Sequence, residues 1–586
     1  MKKKIQLICA LSALTLLFSS CTSGGEQGKD TQPDPADTEQ TEVVLADPIF
    51  LVKADGTANC TVTVPRNSSE TVVEAVEDFI RDVKKKTGAE LPVVDEYSAI
   101  ETAYELVINS DAGRPPVSEQ IKDTGYTDYK IGLWDWHIML TSRSDAATKA
   151  GLKKVYNLLE SVEGGYCLRE DINVRGSALL GDKKASVPVY DTANGEELPY
   201  YPIDGGYEVC IQNTSESECL SYAEKLGKSG FSKYSENAMS AGSDTSAKNL
   251  TFVYVAEDIH VFLNYNSYQK TTRVVFTGAG DLPSLTKPTL TSADNAEMSL
   301  AQLGIAGLGM SYVIQLKDYS FIVVDGGTNA QSNVDMLYNY LVSKTPSGQK
   351  PEIACWVFTH ADPDHIGAPA AFMKTYMEQV DIESVAYNFP DCSVQDTSQD
   401  DAAIGTAIFT LKNTIKSFYG STVYTVRTGQ KLYFKGVEME IIFTEEDLYP
   451  ERANSYNDTT LMARFTFDNG ETFTVLGDST ERTSKQVAAT YKDYLKSDML
   501  QLAHHGLIGG DKALYAYIDP DICFWATSKE RFEGNHDTNK DGQVTSADVQ
   551  HCLGKGGCDY NTYIRDTSIK ARTHYHAGQT FVVKIN

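Results

Sequence analysis

Apolar residues recur at helical spacing along residues 70–86, with Ser69 immediately before the run and Gly88 just beyond it. A stripe with this period faces the core from an amphipathic helix, and serine and glycine are favoured at its two caps. Short apolar strand patterns follow, and a second helical pattern covers residues 146–160. We therefore predict a small α/β domain over residues 46–185.

A second group of patterns lies over residues 195–292. An apolar strand pattern at 207–211 precedes a helical pattern at 215–226, and three more strand patterns follow before a proline-containing link at 278–288. This order predicts a second small α+β domain. Nothing in its side chains indicates catalysis, and we expect His260 to be structural.

The pattern changes again in a C-terminal domain that we predict over residues 295–586. Its apolar strand patterns cover 312–316, 321–324, 353–358, 472–476 and 498–502, and a helical pattern covers 333–343. A chain of 586 residues is too long for one core. The fold class that follows is a multidomain α/β protein.

The segment after residues 353–358 carries four side chains that can bind a metal within six positions, namely His360, Asp362, Asp364 and His365. Imidazole nitrogens and carboxylate oxygens bind zinc, manganese and iron, and a loop at a strand end could bring the four together. An ordinary turn with aspartate and proline is the alternative. The spacing favours the metal site of a hydrolase.

Several short motifs of the C-terminal domain occur in the order found in one superfamily. They are Asp325-Gly326-Gly327, Thr359-His360-Ala361-Asp362-Pro363-Asp364-His365-Ile366-Gly367, Gly477-Asp478 and His504-His505-Gly506. Together they resemble the metallo-β-lactamase superfamily. Two further segments, Asn457-Asp458-Thr459-Thr460-Leu461 and Asn535-His536, are similar to the extracellular domain of competence DNA-uptake proteins. The resemblance implies a C-terminal αββα sandwich with a binuclear metal site at the edge of its two sheets.

The resemblance also implies roles for individual residues. The expected metal ligands are His360, Asp362, Asp364, His365, Asp478 and His504, with Asp478 bridging two cations. The expected catalytic residues are Asp364, Asn457, His505 and His536. His504 and His505 remain interchangeable, since one would bind metal and the other would contact substrate or donate a proton. Asn457 or Asp458 could also help to complete the ligand shell.

Two departures from the superfamily pattern affect the expected metal. Asp362 stands where a second histidine is usual, and no histidine lies between His365 and His504. A shell rich in oxygen shifts the preference from zinc toward manganese or iron. We expect two divalent cations, which are either zinc or, alternatively, manganese or iron. The changed histidine pattern argues against hydrolysis of β-lactams.

The chemistry expected of such a site is hydrolysis. A cation lowers the pKa of water from about 15.7 toward about 7 and so supplies hydroxide at neutral pH. Phosphoester hydrolysis, with a small or polymeric substrate, is the main expectation. The alternatives are other ester or amide hydrolysis, a competence-type nuclease, and a glycan-associated binding protein whose metal domain is degenerate. The net charge of −28 disfavours nucleic acid as a partner.

The first residues have the pattern of a lipoprotein signal. Three lysines precede an apolar segment at 5–18, and Leu17-Phe18-Ser19-Ser20-Cys21 resembles a bacterial lipobox, in which the cysteine is lipidated. A plain secretory signal is the alternative. We predict a signal peptide at 1–20, a polar tether at 21–45, and an extracytoplasmic protein held on a bacterial membrane by lipid at Cys21.

The first α/β domain contains segments, at 79–93 and 150–159, that resemble the N-terminal accessory domain of bacterial hexosaminidases and α-glucuronidases. That resemblance implies association with a cell-surface glycan and no reaction of its own. Trp134, Trp136 and His137 could form a sugar platform, although packing is the alternative.

A possible calcium loop lies near the C-terminal end. Asp537, Asn539, Asp541 and Asp548 occupy positions one, three, five and twelve of a loop with Gly542 at six, a spacing similar to single dockerin repeats. A polar turn is the alternative.

The chain contains eleven cysteines. Bridges between Cys60 and Cys167, Cys210 and Cys219, or Cys552 and Cys558 are conceivable, whereas Cys355 and Cys523 lie in apolar strands and are expected to be buried thiols.

Overall fold

A computed structural model describes ten segments of the chain: 46–110, 124–179, 186–241, 248–257, 259–305, 309–390, 401–506, 509–527, 573–576 and 579–585. The predictions for Cys21, His536, the loop Asp537–Asp548, and Cys552 with Cys558 lie outside these segments. From Asp47 onward the chain belongs to one unit. Among the described residues, no helix is long and apolar enough to cross a membrane.

The described chain is a mixed α/β protein, as the patterns predict. Its α-helices are α1 Glu70–Thr87, α2 Asp145–Leu158, α3 Glu216–Lys228, α4 Gln331–Lys344, α5 Pro363–Tyr376, α6 Asp401–Thr414, α7 Glu481–Tyr491 and α8 Lys512–Ile518. Short 3₁₀ turns lie at Glu445–Leu448, Tyr456–Thr459, Lys492–Leu495 and Ala503–Gly506, and a π turn lies at Ile415–Tyr419.

Helix α1 begins and ends where its sequence signals predict. The Ser69 hydroxyl accepts a hydrogen bond from the backbone N–H of Val72, and Gly88 ends the helix in the left-handed conformation with φ 84°. The apolar stripe of α1 packs with α2 in one core, which also contains Leu106, Ile131 and Leu140.

The first module has nine strands in two sheets. Its strands are β1 Pro48–Lys53, β2 Cys60–Val64, β3 Val93–Asp95, β4 Tyr104–Ile108, β5 Asp128–Trp134, β6 His137–Ser142, β7 Glu160–Val162, β8 Gly165–Arg169 and β9 Asn173–Ser177. One sheet has the order β3-β2-β4-β6-β5-β9, and the other has the order β1-β8-β7. The turn between β5 and β6 leaves Trp134 47% and Trp136 41% exposed, whereas His137 is buried beside Glu105.

The second module is one antiparallel sheet with α3 against it. Its strands are β10 Glu196–Glu197, β11 Tyr201–Ile203, β12 Gly206–Gln212, β13 Ser232–Ser240, β14 Lys248–Ala256, β15 Ile259–Asn266 and β16 Thr271–Gly278. The order is β10-β12-β16-β15-β14-β13, with β11 beside β12. This sheet contacts α7 of the last module, because Asn249 donates to the Tyr491 hydroxyl at 2.7 Å.

Within the described residues, the last module contains two sheets, of eight and seven strands. The first has strands β17 Ser299–Gln302, β18 Ser311–Gln315, β19 Phe321–Asp325, β20 Glu352–Val357, β21 Asp381–Ile382, β22 Ser384–Tyr387, β23 Thr422–Thr425 and β31 Phe581–Lys584. The second has strands β24 Lys431–Phe434, β25 Val437–Phe443, β26 Met462–Phe467, β27 Thr472–Val475, β28 Met499–Gln501, β29 Ile522–Trp525 and β30 Thr573–His576. The orders are β23-β22-β20-β19-β18-β17-β31, with β21 beside β20, and β24 to β30 in succession.

Three apolar clusters connect the layers of this module. One joins the two sheets to each other through residues such as Ile322, Val357 and Phe465. A second joins the first sheet to α4, α5 and α6. A third joins the second sheet to α7 and α8.

A buried arginine–carboxylate cluster connects the second module to the last. Arg273 on β16 donates to the backbone carbonyl oxygens of Asp447 at 3.0 Å and Tyr449 at 2.9 Å, and its Nε lies 3.4 Å from Glu208 Oε1. Arg427 lies 3.0 Å from Glu446. We refer to Glu208, Arg273, Arg427, Glu446 and Asp447 as the arginine–carboxylate cluster.

The proposed disulfides within the described residues are wrong. Cys60, Cys167, Cys210 and Cys219 are free and buried. Cys60 lies on β2 and Cys167 on β8, which belong to different sheets, and burial raises the pKa of the Cys60 thiol to about 12. Shared domain membership does not bring two Cα atoms within bridging distance. Cys355 and Cys523 are buried on their strands, which agrees with that prediction.

Candidate metal centre

Three chain segments meet at one edge of the last module, and each follows the end of a strand. His360, Asp362, Asp364 and His365 follow β20, Asp478 follows β27, and His504 and His505 follow β28. Strands β27 and β28 are parallel neighbours, so their C-terminal ends lie at the same edge of the sheet. Residues far apart in the sequence are thereby brought into one cluster.

Helix α5 begins within the segment that was predicted to be a loop. Asp362 is its N-cap and Pro363 its first residue, so Asp364 and His365 belong to the first turn. Proline is favoured there because its fixed φ suits a helix and it has no N–H to leave unpaired. The prediction that all four side chains lie on a loop is therefore wrong for Asp364 and His365.

The potential ligand atoms form two overlapping groups. Atoms of His360, His365 and Asp478 lie within 4.8 Å of one another, and so do atoms of Asp364, His365 and His505. Asp362 lies at the margin, with its Oδ2 3.5 Å from His360 Nε2. His365 belongs to both groups, but only its Nε2 is turned toward the site, so it could bind one cation and not two.

Asp478 belongs to the first group and also lies close to His505 of the second. Its Oδ1 is 3.3 Å from His365 Nε2, and its Oδ2 is 3.3 Å from His505 Nε2 and 4.0 Å from His360 Nε2. The carboxylate is only 2% exposed. This is the position that a bridging ligand would occupy.

Hydrogen bonds at the back of the imidazole rings turn their Nε2 atoms toward the site. His365 Nδ1 donates to Asp325 Oδ2 at 2.7 Å, and His505 Nδ1 donates to the carbonyl oxygen of Ala526 at 3.1 Å. Asp325 is held in turn by the N–H and hydroxyl of Thr359, at 2.8 and 2.6 Å. Such partners fix the tautomer and orientation of metal-binding histidines.

The atoms that face the centre lack hydrogen-bond partners among the described residues. They are His360 Nε2, Asp362 Oδ1, His365 Nε2, Asp478 Oδ1 and His505 Nε2. Buried polar atoms almost always have partners, so a convergent set of unpartnered atoms is the arrangement that residues able to hold a cation would show. The donor set of imidazole and carboxylate fits zinc, manganese or iron.

The buried carboxylates of the cluster attract positive charge, as the pKa values of Asp364 and His505 show. Burial opposes ionisation of Asp364, but the nearby His505, with its Nε2 3.1 Å from Asp364 Oδ2, and the charge of His365 lower its pKa to about 2. Burial likewise opposes the charge on His505, yet Asp478 and Asp364 raise its pKa to about 9. Protons on imidazole thus balance the carboxylates until a cation replaces them.

The two adjacent histidines occupy different positions. His505 is 2% exposed and lies 3.1 Å from Asp364 and 3.3 Å from Asp478. The side chain of His504 is 21% exposed and lies 3.6 Å from Asp478. The geometry favours His505 as the ligand and His504 as the residue that faces solvent, a choice that the sequence left open.

Asn457 and Asp458 lie beside the cluster on the 3₁₀ turn Tyr456–Thr459. The Asp458 carboxylate accepts hydrogen bonds from the Thr480 hydroxyl, from Arg482 at 2.8 Å and from the N–H of Asn454 at 2.8 Å. These donors occupy it, so it is poorly placed to complete the ligand shell. Asn457 Oδ1 is buried and has no partner within the described parts of the chain.

Sequence reasoning missed two residues that support the site. Asp325 belongs to a motif that was recognised, but its bond to His365 was not foreseen. Gln501 accepts from the N–H groups of Leu476 and Gly477 and donates to the carbonyl of Gly477, which holds the loop that carries Asp478. The signal was a polar residue between the apolar Leu500 and Leu502.

Comparison of the chain with protein-family models and with curated proteins finds no match.

Proposed function

We propose that the last module is an αββα sandwich of the metallo-β-lactamase type. The three apolar clusters support this assignment, because they order the module as helices, sheet, sheet and helices. The order of the motifs from Asp325 to His505 supports it as well. On this assignment the cluster lies at the sheet edge where the superfamily has its metal site.

We infer that the protein is a metal-dependent hydrolase, most consistent with a phosphoesterase. The observation that carries this inference is the convergence of buried imidazole and carboxylate atoms without partners, on both sides of Asp478. His360, His365 and Asp478 would hold one cation, and Asp364, His505 and Asp478 the other. When bound, such cations supply hydroxide at neutral pH and neutralise charge that develops on substrate oxygens.

The chain's own residues prepare the site for this chemistry. Asp325 and the carbonyl of Ala526 fix His365 and His505, so that these rings lose little orientational freedom on binding. His504, at the solvent side of the cluster, is placed to hold or release a proton. Hydrolysis joins the oxygen of water to phosphorus and breaks the bond to the ester oxygen, which leaves with a proton.

A phosphoester is the substrate class that best fits the charges. The protein carries a net charge of −28, which repels anions at long range. Cations at the centre would offset this repulsion locally, over the distance at which a single phosphoryl group binds. A long polyanion would meet the whole surface, so we favour a compact phosphoester over nucleic acid.

The setting of the enzyme is also a proposal. We infer a lipoprotein anchored through Cys21 on a bacterial membrane, with the upstream modules bringing the catalytic module to a cell-surface glycan. The exposed Trp134 and Trp136 support the second part, because an exposed indole is suited to stacking on sugars, although Trp136 already stacks on His137 with ring centroids 3.8 Å apart.

One experiment tests the hydrolase directly. Metal content of the purified protein is measured, and hydrolysis of bis(4-nitrophenyl) phosphate is followed with added zinc and with added manganese. We expect about two equivalents of metal, the stoichiometry of a two-cation site, and metal-dependent turnover. Absence of both metal and turnover would refute the proposal and favour the glycan-binding alternative.

A further inference from the structure

A cleft of about 600 Å³ opens next to the candidate metal centre, and most of the residues that line it have polar side chains. His504 is shared between the cleft and the centre, while Asn457, Thr480, Arg482 and Lys485 form other parts of the wall. Gly509 is the one lining residue without a polar side chain. A cleft of this size beside the reacting atoms would hold the part of the substrate next to the scissile bond.

The charges in the wall nearly cancel. Arg482 and Lys485 are the basic groups, and Asp458 and Glu481 are the acidic groups that line the same space. Arg482 is paired with Asp458 at 2.8 Å, and Lys485 with Glu481. A second phosphate would therefore gain little net attraction here. An apolar group would displace water from the polar side chains without replacing their hydrogen bonds.

Two atoms of the wall have no partner within the described residues, and they are of opposite kinds. Arg482 Nε–H is a buried donor, and Asn457 Oδ1 is a buried acceptor. An anion can satisfy only the donor. A hydroxyl both donates and accepts, so neighbouring hydroxyls can satisfy both atoms.

We propose that this cleft is a subsite for a hydroxyl-rich, uncharged group such as a sugar or polyol, esterified to the same phosphorus atom as the leaving group. This proposal rests on the proposed phosphoesterase function. It specifies the substrate as the phosphoester of a polyol, and it assigns Asn457 and Arg482 as the residues that select the polyol.

The test uses two substrates that differ only in the hydroxyls of one ester group, 4-nitrophenyl glycerol phosphate and 4-nitrophenyl propyl phosphate. We expect kcat/KM to be about 10-fold or more higher for the glycerol ester, because buried groups left unpaired by the propyl ester are penalised. In Asn457→Ala the ratio of kcat/KM for the glycerol ester to kcat/KM for the propyl ester should fall toward one. Arg482→Gln should lower the same ratio independently. Asn339→Ala, on the exposed face of α4, should keep the full ratio.

Binding to the protein as purified separates this proposal from the hydrolase proposal. Calorimetry compares glycerol 1-phosphate, propyl phosphate and glycerol 1,3-bisphosphate, and we expect the first to bind most tightly even if nothing is hydrolysed. Equal turnover of both esters would overturn the subsite and leave the hydrolase standing. Tighter binding of propyl phosphate or of the bisphosphate would also overturn it, in favour of an apolar or an anionic subsite.

Discussion

The metal centre and the arginine–carboxylate cluster both bury several carboxylates, but the groups that balance those carboxylates differ. In the arginine–carboxylate cluster Arg273 and Arg427 face Glu208, Glu446 and the turn that carries Asp447. In the metal centre the partners of Asp364 and Asp478 are imidazoles. A guanidinium stays charged at every accessible pH and cannot be exchanged, whereas an imidazole can give up its proton to make room for a cation.

The difference separates a structural use of buried charge from a functional one. The arginines join two modules, and removal of one leaves a carboxylate buried without a counter-charge. The histidines hold positive charge only conditionally, so the metal centre is stable when it contains protons or metal and is strained when it contains neither. The predictions below test this contrast.

The largest expected effect is on the residue shared by both cation positions. Asp478→Ala should lower kcat by on the order of 10³-fold, the scale associated with removing one preorganised charged group. Metal content, measured by mass spectrometry of the desalted protein, should fall with it. Asp493→Ala, on an exposed 3₁₀ turn, is the matched control and should retain both. Full activity in Asp478→Ala would contradict the bridging assignment.

The second prediction breaks the arginine–carboxylate cluster. Arg273→Met removes the donor to the carbonyl oxygens of Asp447 and Tyr449 and the cation beside Glu208, so the free energy of unfolding should fall by about 3–5 kcal/mol. Urea denaturation measures it. Arg81→Met removes an exposed pair with Asp78 and should cost at most about 0.5 kcal/mol. A loss in Arg273→Met no larger than in this control would show that the cluster contributes little to stability.

The third prediction concerns pH. Burial raises the pKa of Asp447 to about 6, although Arg273 and the hydrogen bond from Thr428 oppose the shift. The folded state then binds the extra proton between pH about 4 and about 6, so this residue makes stability fall across that window as pH rises, by roughly 3 kcal/mol. Asp447→Asn should flatten the profile of unfolding free energy in this range, and an unchanged slope would contradict it.

The metal centre should respond to pH in the opposite sense. Because the pKa of His505 is raised to about 9, a proton must leave before this ring can bind a cation. Apparent affinity for zinc or manganese should therefore rise by about tenfold per pH unit below that value. Competition with a chelator of known affinity measures it between pH 6.5 and 8.5, and an affinity independent of pH would contradict the ligand role of His505.

The smallest expected effect is on the orientation of a ligand. Asp325→Asn keeps an acceptor for His365 but removes the charge behind it, so metal affinity should fall by about 10–100-fold. Asp335→Asn, on α4 and outside the site, should leave affinity unchanged. An equal affinity in Asp325→Asn and the control would show that the bond to His365 does not tune the centre.

Local signals predicted the elements that local interactions determine. Helix α1 begins at Ser69 and ends at Gly88 because capping groups within one turn decide those positions. The convergence of side chains at the candidate centre was likewise predicted, because the motifs that carry them stand out in the sequence. The directions of the His504 and His505 side chains could not be predicted from the sequence. These residues have φ values of 48° and 60°, and this unusual backbone decides which ring turns inward.

Long-range partners were the part that the sequence concealed. The bond from His365 to Asp325, the contact of Arg273 with the turn Glu445–Leu448 and the separation of Cys60 from Cys167 all depend on how sheets are arranged. Residue type alone does not specify such partners. The residues next to a buried aspartate in the sequence do not show whether it faces an arginine, a histidine or a metal.

The pairing of β31 with β17 sets a condition on how this module is made. Strand β31, Phe581–Lys584, pairs with β17, Ser299–Gln302, and covers that edge of the sheet. During synthesis β17 is therefore made long before the strand that covers it. Until then β17 presents unpaired N–H and C=O groups that invite other chains. Secretion of the chain in an unfolded state would keep that edge from pairing wrongly before residues 581–584 arrive.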